Sequence, residues 1–130
     1  STYMSAYNIP VSENYSLEYA FAGTANKLKN IKFAFYSACR SDMYNPTYGR
    51  LTAYTTDVLQ AQCAMGFDEE IGIYESGVFE ELLFHYLDIG YNVSDANNIV
   101  CNYLATNYPD IFYGGNLDSV GITGDGDTWL

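Results

Sequence analysis

One histidine, three cysteines and only five lysines and arginines occur in this 130-residue sequence, and each scarcity excludes something. A lone histidine, His85, cannot build a histidine-rich metal site. Cys39, Cys63 and Cys101 cannot all pair within one chain, and none stands in a C-x-x-C or comparable spacing. A zinc site is therefore not expected, and at least one thiol is left free unless another chain supplies a partner. Five basic residues against sixteen acidic ones give a formal net charge of -11. A surface this negative repels phosphate backbones and anionic membrane surfaces, so neither nucleic acid nor a membrane is an expected partner; basic peptides or divalent cations are favoured. No long uncharged apolar run or signal-peptide core is present, so no segment of the sequence is expected to span a membrane. No internal repeat is visible, and no glycine-rich loop follows a strand. That last absence counts against a flavodoxin-like domain holding a phosphorylated ligand.

What is present suits a packed core. Hydrophobic residues make up 48% of the chain, with fourteen tyrosines and seven phenylalanines, which excludes a disordered chain and fits one domain over residues 1–130. Residues 1–14 show no period and read as an arm. Leu17, Ala20, Phe21, Ala25 and Leu28 carry helical spacing. Ile31–Tyr36 is a short, almost continuous apolar run, as a strand covered on both faces should be. A second helix carries Leu51, Tyr54, Val58 and Leu59, and residues 61–67 read as the next buried strand. Phe79, Leu82, Leu83, Tyr86 and Leu87 form the apolar stripe of a third helix, with Gly90 as its C′ residue. Ser94 is the expected N-cap of a fourth helix, which Pro109 helps to stop. Residues 119–123 suggest a last short strand.

Alternating elements of this kind build an α/β fold with a mostly parallel sheet and helices on both faces. About three strands make a small sheet, which suggests part of a larger one. In such sheets ligands bind beyond the carboxyl ends of the strands. Cys39 is expected at the end of the first strand, and Asp68, Glu69 and Glu70 at the end of the second. A thiol there can act as a nucleophile if a base or a positive neighbour raises its thiolate fraction. Cys63 and Cys101 read as small buried hydrophobes. His85, with Glu81 and Asp88 beside it on the polar side of its helix, reads as a solvated histidine and not as a base.

A strand followed by Ser37-Ala38-Cys39-Arg40-Ser41 resembles the nucleophile segment of caspase-fold (clan CD) cysteine peptidases, where caspases carry Gln-Ala-Cys-Arg-Gly. Gly49-Arg50-Leu51 opening a helix, Cys63-Ala64-Met65-Gly66-Phe67 and Gly90-Tyr91-Asn92-Val93-Ser94-Asp95-Ala96 are similar to stretches of bacterial, clostripain-like members. The resemblance covers about residues 30–107. It implies a caspase-haemoglobinase-like three-layer sandwich of which this chain supplies only the C-terminal part. It also implies a Cys–His dyad with Cys39 as nucleophile and the Cys39 N–H in the oxyanion hole. The family's histidine lies upstream of the cysteine, and this chain has none before Cys39. Clostripain-like enzymes are cut between the two residues, and Ser1 lies a few tens of residues before Cys39, as such a cut would leave it. The expected partner is thus a histidine-bearing N-terminal half or light chain of the same enzyme, acting on a peptide or protein substrate in a secreted or cell-envelope setting.

Relatives that cleave after Arg or Lys line their pocket with carboxylates, which makes Asp68 and Glu69 candidate substrate-binding residues. Ser37 stands where one such carboxylate often sits, and Asp42 is a further candidate. The alternative is a caspase-fold module that has lost catalysis and serves in binding or assembly. Gly124-Asp125-Gly126-Asp127 invites a calcium (Ca2+) reading but lacks the remaining ligands of a calcium loop, so residues 124–130 read as a flexible acidic tail. Asn14-Tyr15-Ser16 and Asn92-Val93-Ser94 match the glycosylation sequon, a pattern common by chance.

Overall fold

Alternation of large and small residues along the two central strands sorts the molecule into layers. The computed structural model describes residues 4–5, 26–47 and 49–130. Strands β1 (Met4–Ser5), β2 (Phe33–Phe35), β3 (Cys63–Phe67) and β4 (Val120–Gly124) form one sheet in that spatial order. Successive side chains of a strand point to opposite faces. Phe33, Phe35, Cys63, Met65 and Phe67 therefore share one face, and Ala34 and Ala64 the other.

Helix α1 (Leu51–Asp57) covers the small-residue face, where Leu51 and Leu59 pack on Ala34, Tyr36 and Ala64. Helices α2 (Ile73–Asp88) and α3 (Val93–Asn107) cover the aromatic face through Phe79, Leu83, Leu87, Val100 and Leu104. Rings of Phe35, Phe67 and Phe79 meet there at centroid distances of 5.5 to 6.3 Å. Each such buried side chain contributes about 1.5–3 kcal/mol of transfer free energy, so this face carries most of the stability.

The chain is thus a mixed α/β protein with a small sheet. β1 and β3 both run parallel to β2, in the registers Met4↔Ala34 and Phe33↔Cys63. β4 is antiparallel to β3, from Phe67↔Val120 to Cys63↔Gly124. The connection explains why. Helix α4 (Pro109–Gly114), which the sequence reading missed, leads into a 3-10 turn (Leu117–Ser119). Asn116, in the left-handed region at φ 56, turns the chain so that it arrives at the carboxyl end of β3, where the Asp68 N–H donates to the Ser119 carbonyl (3.1 Å). From that end it can only run back. Pro109 does stop α3, but it does so as the first residue of α4, where its missing N–H costs nothing.

Other expectations shift locally. Residues 17–25 of the expected first helix lie outside the described residues, and its end, Asn26–Leu28, is a turn. Most of the 1–14 arm is likewise undescribed, but Met4–Ser5 is an edge strand. Gly90 has φ +108, as a C′ residue should after α2. The cap of α3 is Asn92 rather than Ser94: the Asn92 side chain accepts from the Asp95 N–H (2.8 Å). Burial of Val93 draws the helix start two residues earlier. The open N–H groups of Val93 and Ser94 are taken by the Thr128 and Gly126 carbonyls at 3.0 and 2.9 Å. The acidic tail is therefore tied down rather than free. The Asp125 N–H also reaches the Gln62 carbonyl (2.8 Å), and Thr128 is buried. Among the described residues, no helix is long and apolar enough to cross a membrane.

Candidate active site

Parallel β2 and β3 put their carboxyl ends side by side, and the chain leaving β2 folds back across the end of β3. The Tyr36 N–H still pairs with the Met65 carbonyl (2.9 Å); the Arg40 N–H then donates to Glu69 (2.9 Å) and the Asp42 N–H to Phe67 (2.8 Å). Ser41 locks this turn. Its hydroxyl donates to the Tyr36 carbonyl (2.8 Å) and accepts from the Phe67 N–H (3.1 Å), bridging both strand ends. The reversal requires Arg40 at φ 52, a left-handed conformation that costs a non-glycine residue on the order of 1 kcal/mol. The Glu69 hydrogen bond and the Arg40–Glu70 ion pair (3.4 Å) hold it there.

Cys39 stands exposed on the rim so formed. Its thiol donates to the Ile71 carbonyl (3.2 Å), and its sulfur accepts from the Ile71 N–H (3.4 Å). The sulfur is thus clasped by the loop after β3, on the side where the acidic run lies. The other two thiols are poor nucleophiles. Burial pushes Cys63 up to about 12, with Asp125 adding to the effect, and burial together with Asp118 pushes Cys101 up to about 11. A proton held this tightly leaves almost no thiolate at neutral pH.

The predicted carboxylates separate into different roles. Asp68 is already paired: Arg50 Nη1 donates to its Oδ1 (2.9 Å) and to the Asp42 carbonyl (2.6 Å), tying the two rim segments together. Asp42 faces inward with only 4% of its surface exposed, so it is not in reach of a substrate. Its Oδ1 accepts from both the hydroxyl (2.5 Å) and the N–H (3.2 Å) of Thr52 in the first turn of α1. The N-cap residue of that helix, Arg50, makes no side-chain cap, so Asp42 serves as a cap from outside the helix. Burial raises its carboxyl above the ordinary range, against the lowering effect of the Thr52 hydrogen bonds. Room for it comes from the cross-strand pair Gly66↔Gly121. A Cβ on Gly66 would stand 3.0 Å from the Asp42 Cβ, and one on Gly121 would stand 3.0 Å from its Oδ2.

Glu69 is exposed, and among the described residues its carboxylate meets no Lys or Arg at ion-pair distance. Ser37 is half-buried where the rim begins. Ser41, Arg50, Thr52 and Ile71 were not singled out from the sequence, because their roles depend on partners distant along the chain. His85 lies on α2 twelve residues beyond its start at Ile73, about 18 Å along the axis, and is out of reach of Cys39. Among the described residues, no group of three or more His, Cys, Asp or Glu side chains gathers to hold a metal ion, the acidic tail included. Comparison with protein-family models, with curated proteins and with solved structures finds no match.

Proposed function

We propose that this chain is the cysteine-bearing part of a caspase-fold, clostripain-like cysteine endopeptidase, with Cys39 as its nucleophile. The observation that carries the reading is the exposure of Cys39 at the adjacent carboxyl ends of two parallel strands, while Cys63 and Cys101 are shielded. In the proposed reaction a histidine from the N-terminal half or light chain takes the Cys39 proton. The thiolate attacks the scissile carbonyl carbon, whose oxygen becomes negative and is met by the Cys39 N–H. Collapse of this intermediate breaks the C–N bond, the imidazolium gives its proton to the leaving amine, and water hydrolyses the thioester. The Ile71 N–H, which already points at the sulfur, stabilises the thiolate once the proton that now bonds the Ile71 carbonyl has left.

A preference for Arg or Lys before the cut bond would rest on Glu69 rather than Asp68, since Arg50 already neutralises Asp68 and Arg40 pairs with Glu70. The test treats the native assembly with a peptidyl-Arg acyloxymethyl ketone and maps the adduct by intact and peptide mass. A single adduct on Cys39, with a second polypeptide carrying a histidine, supports the reading. An unlabelled Cys39 in an assembly that contains that polypeptide overturns it. One observation favours the non-catalytic module instead: within this sequence the only histidine is remote from Cys39. That module predicts that Cys39→Ala leaves partner binding unchanged and that the native assembly cleaves no peptide.

A further inference from the structure

All five lysines and arginines lie between Lys27 and Arg50, so every lysine, arginine or carboxylate side chain from Leu51 onward is a carboxylate. Helices α2, α3 and α4 therefore contain no lysine or arginine. Between them lies an open groove of about 450 Å³, and neither Cys39 nor Ile71 is among its lining residues. Its lining joins an apolar base, including Leu82 and Leu104, to the rings of Tyr74, Tyr103 and Tyr108 and the carboxylate of Glu81. Those three tyrosines are 69%, 41% and 48% exposed, a large aromatic surface to leave in water. Tyr103 and Tyr108 stand together, with ring centroids 6.0 Å apart and planes inclined by 59°.

The chemistry of this lining selects its occupant. Aromatic faces carry negative potential and attract cations, and Glu81 adds a full negative charge that is in neither of the ion pairs among the described residues. Anionic ligands are repelled. The partly exposed Leu82 and Ile111 suit an alkyl stem, and a long side chain with an apolar stem and a cationic head matches both halves of the groove. From Tyr74 to His85, α2 lines it for about 17 Å, the span of about five extended residues. We propose that the groove between α2, α3 and α4 binds an extended basic peptide segment, with Lys or Arg stems on Leu82 and Ile111 and their cationic heads between Tyr103, Tyr108 and Glu81.

The experiment titrates the full chain into a short fluorescein-labelled peptide of alternating Arg and Gly at low ionic strength, following anisotropy, beside the same peptide with citrulline for Arg. Saturable binding of the Arg peptide alone is expected. Tyr103→Ala combined with Tyr108→Ala weakens it about tenfold, Glu81→Gln weakens it several-fold, and Tyr108→Phe, which keeps the ring, leaves it within about twofold. Because these side chains are exposed, circular dichroism of the variants is expected to match the parent. Asp57→Asn, an exposed carboxylate on α1 across the sheet, leaves binding unchanged, which separates the groove from the general acidity of the surface. Equal binding of the citrulline peptide, indifference to removal of both rings, loss of binding in Asp57→Asn, or no saturable binding each overturns the proposal.

Discussion

The two faces of the sheet are built on opposite principles. On the α2 and α3 side the core is aromatic and apolar: Phe33, Phe35, Met65, Phe67 and Phe79 are buried against one another and against the apolar stripes of the helices. On the α1 side the residues are small, and the buried contacts are polar. Asp42 holds Thr52, the Thr55 hydroxyl donates to the Leu51 carbonyl (2.7 Å), and the Tyr36 hydroxyl meets Thr55 at 2.6 Å. Burial raises the Tyr36 phenol above its ordinary range, against the lowering effect of that Thr55 contact. Apolar contact is strong but tolerant of small shifts, whereas hydrogen bonds fix direction. The polar face leads to the Cys39 rim and orients it, and the aromatic face keeps the sheet folded.

The sharpest test of this division uses the thiols. Iodoacetamide on the native chain at pH 8 should modify Cys39 at least about a hundredfold faster than Cys63, because only the thiolate reacts and burial withholds it at Cys63. Peptide mapping over time measures the ratio, and comparable rates would remove the distinction between rim and core. In the aromatic core, Phe79→Ala should lower unfolding stability by about 3–5 kcal/mol in urea, the usual cost of emptying a buried ring. A loss below about 1 kcal/mol would mean that this face does not carry the fold.

On the polar face, Gly66→Ala should cost about 1–3 kcal/mol, because its methyl meets Asp42 and Ser41 at 3.0 Å. Its signature is a disturbed rim, seen as changed chemical shifts for Arg40 to Asp42. Asp42→Asn sharpens the electrostatic side. A carboxyl raised by burial contributes stability that is fully present below its unfolded value of 3.8 and is lost as the pH rises through the higher folded value. The asparagine keeps an acceptor for Thr52 without the charge. The variant should therefore gain relative to the parent between acidic and neutral pH, measured by urea unfolding at both; a constant difference would refute burial as the cause. The smallest effect is expected from Arg50→Gln. Its ion pair with Asp68 is about half exposed, so stability should fall by no more than about 1 kcal/mol, read from the thermal midpoint.

Much of this was legible in residue order. The stripe Phe79, Leu83, Leu87 and the stripe Ala96, Val100, Leu104 specify which helix faces are buried. The apolar run at 31–36 specifies an enclosed strand, and Gly90 marks a helix end. Cys39 at the end of a strand was likewise readable. Asp68 and Glu69 were indistinguishable as candidates in residue order, yet Arg50 engages Asp68, Arg40 engages Glu70, and neither ion pair includes Glu69. The even spread of tyrosines along the sequence hid the cluster of Tyr74, Tyr103 and Tyr108, which come from three segments.

Local periodicity by itself determined the central strands β2 and β3 and the buried faces of α2 and α3, because those depend on neighbours two, three or four positions away, and composition determined the acidity of the chain. Tertiary structure alone decided the direction of β4, the clasp of Ile71 on the Cys39 sulfur, and the niche that Gly66 and Gly121 open for Asp42. Each joins residues far apart along the chain. Such a contact forms only where loop lengths and packing bring both partners to the same point, and no local pattern encodes that meeting.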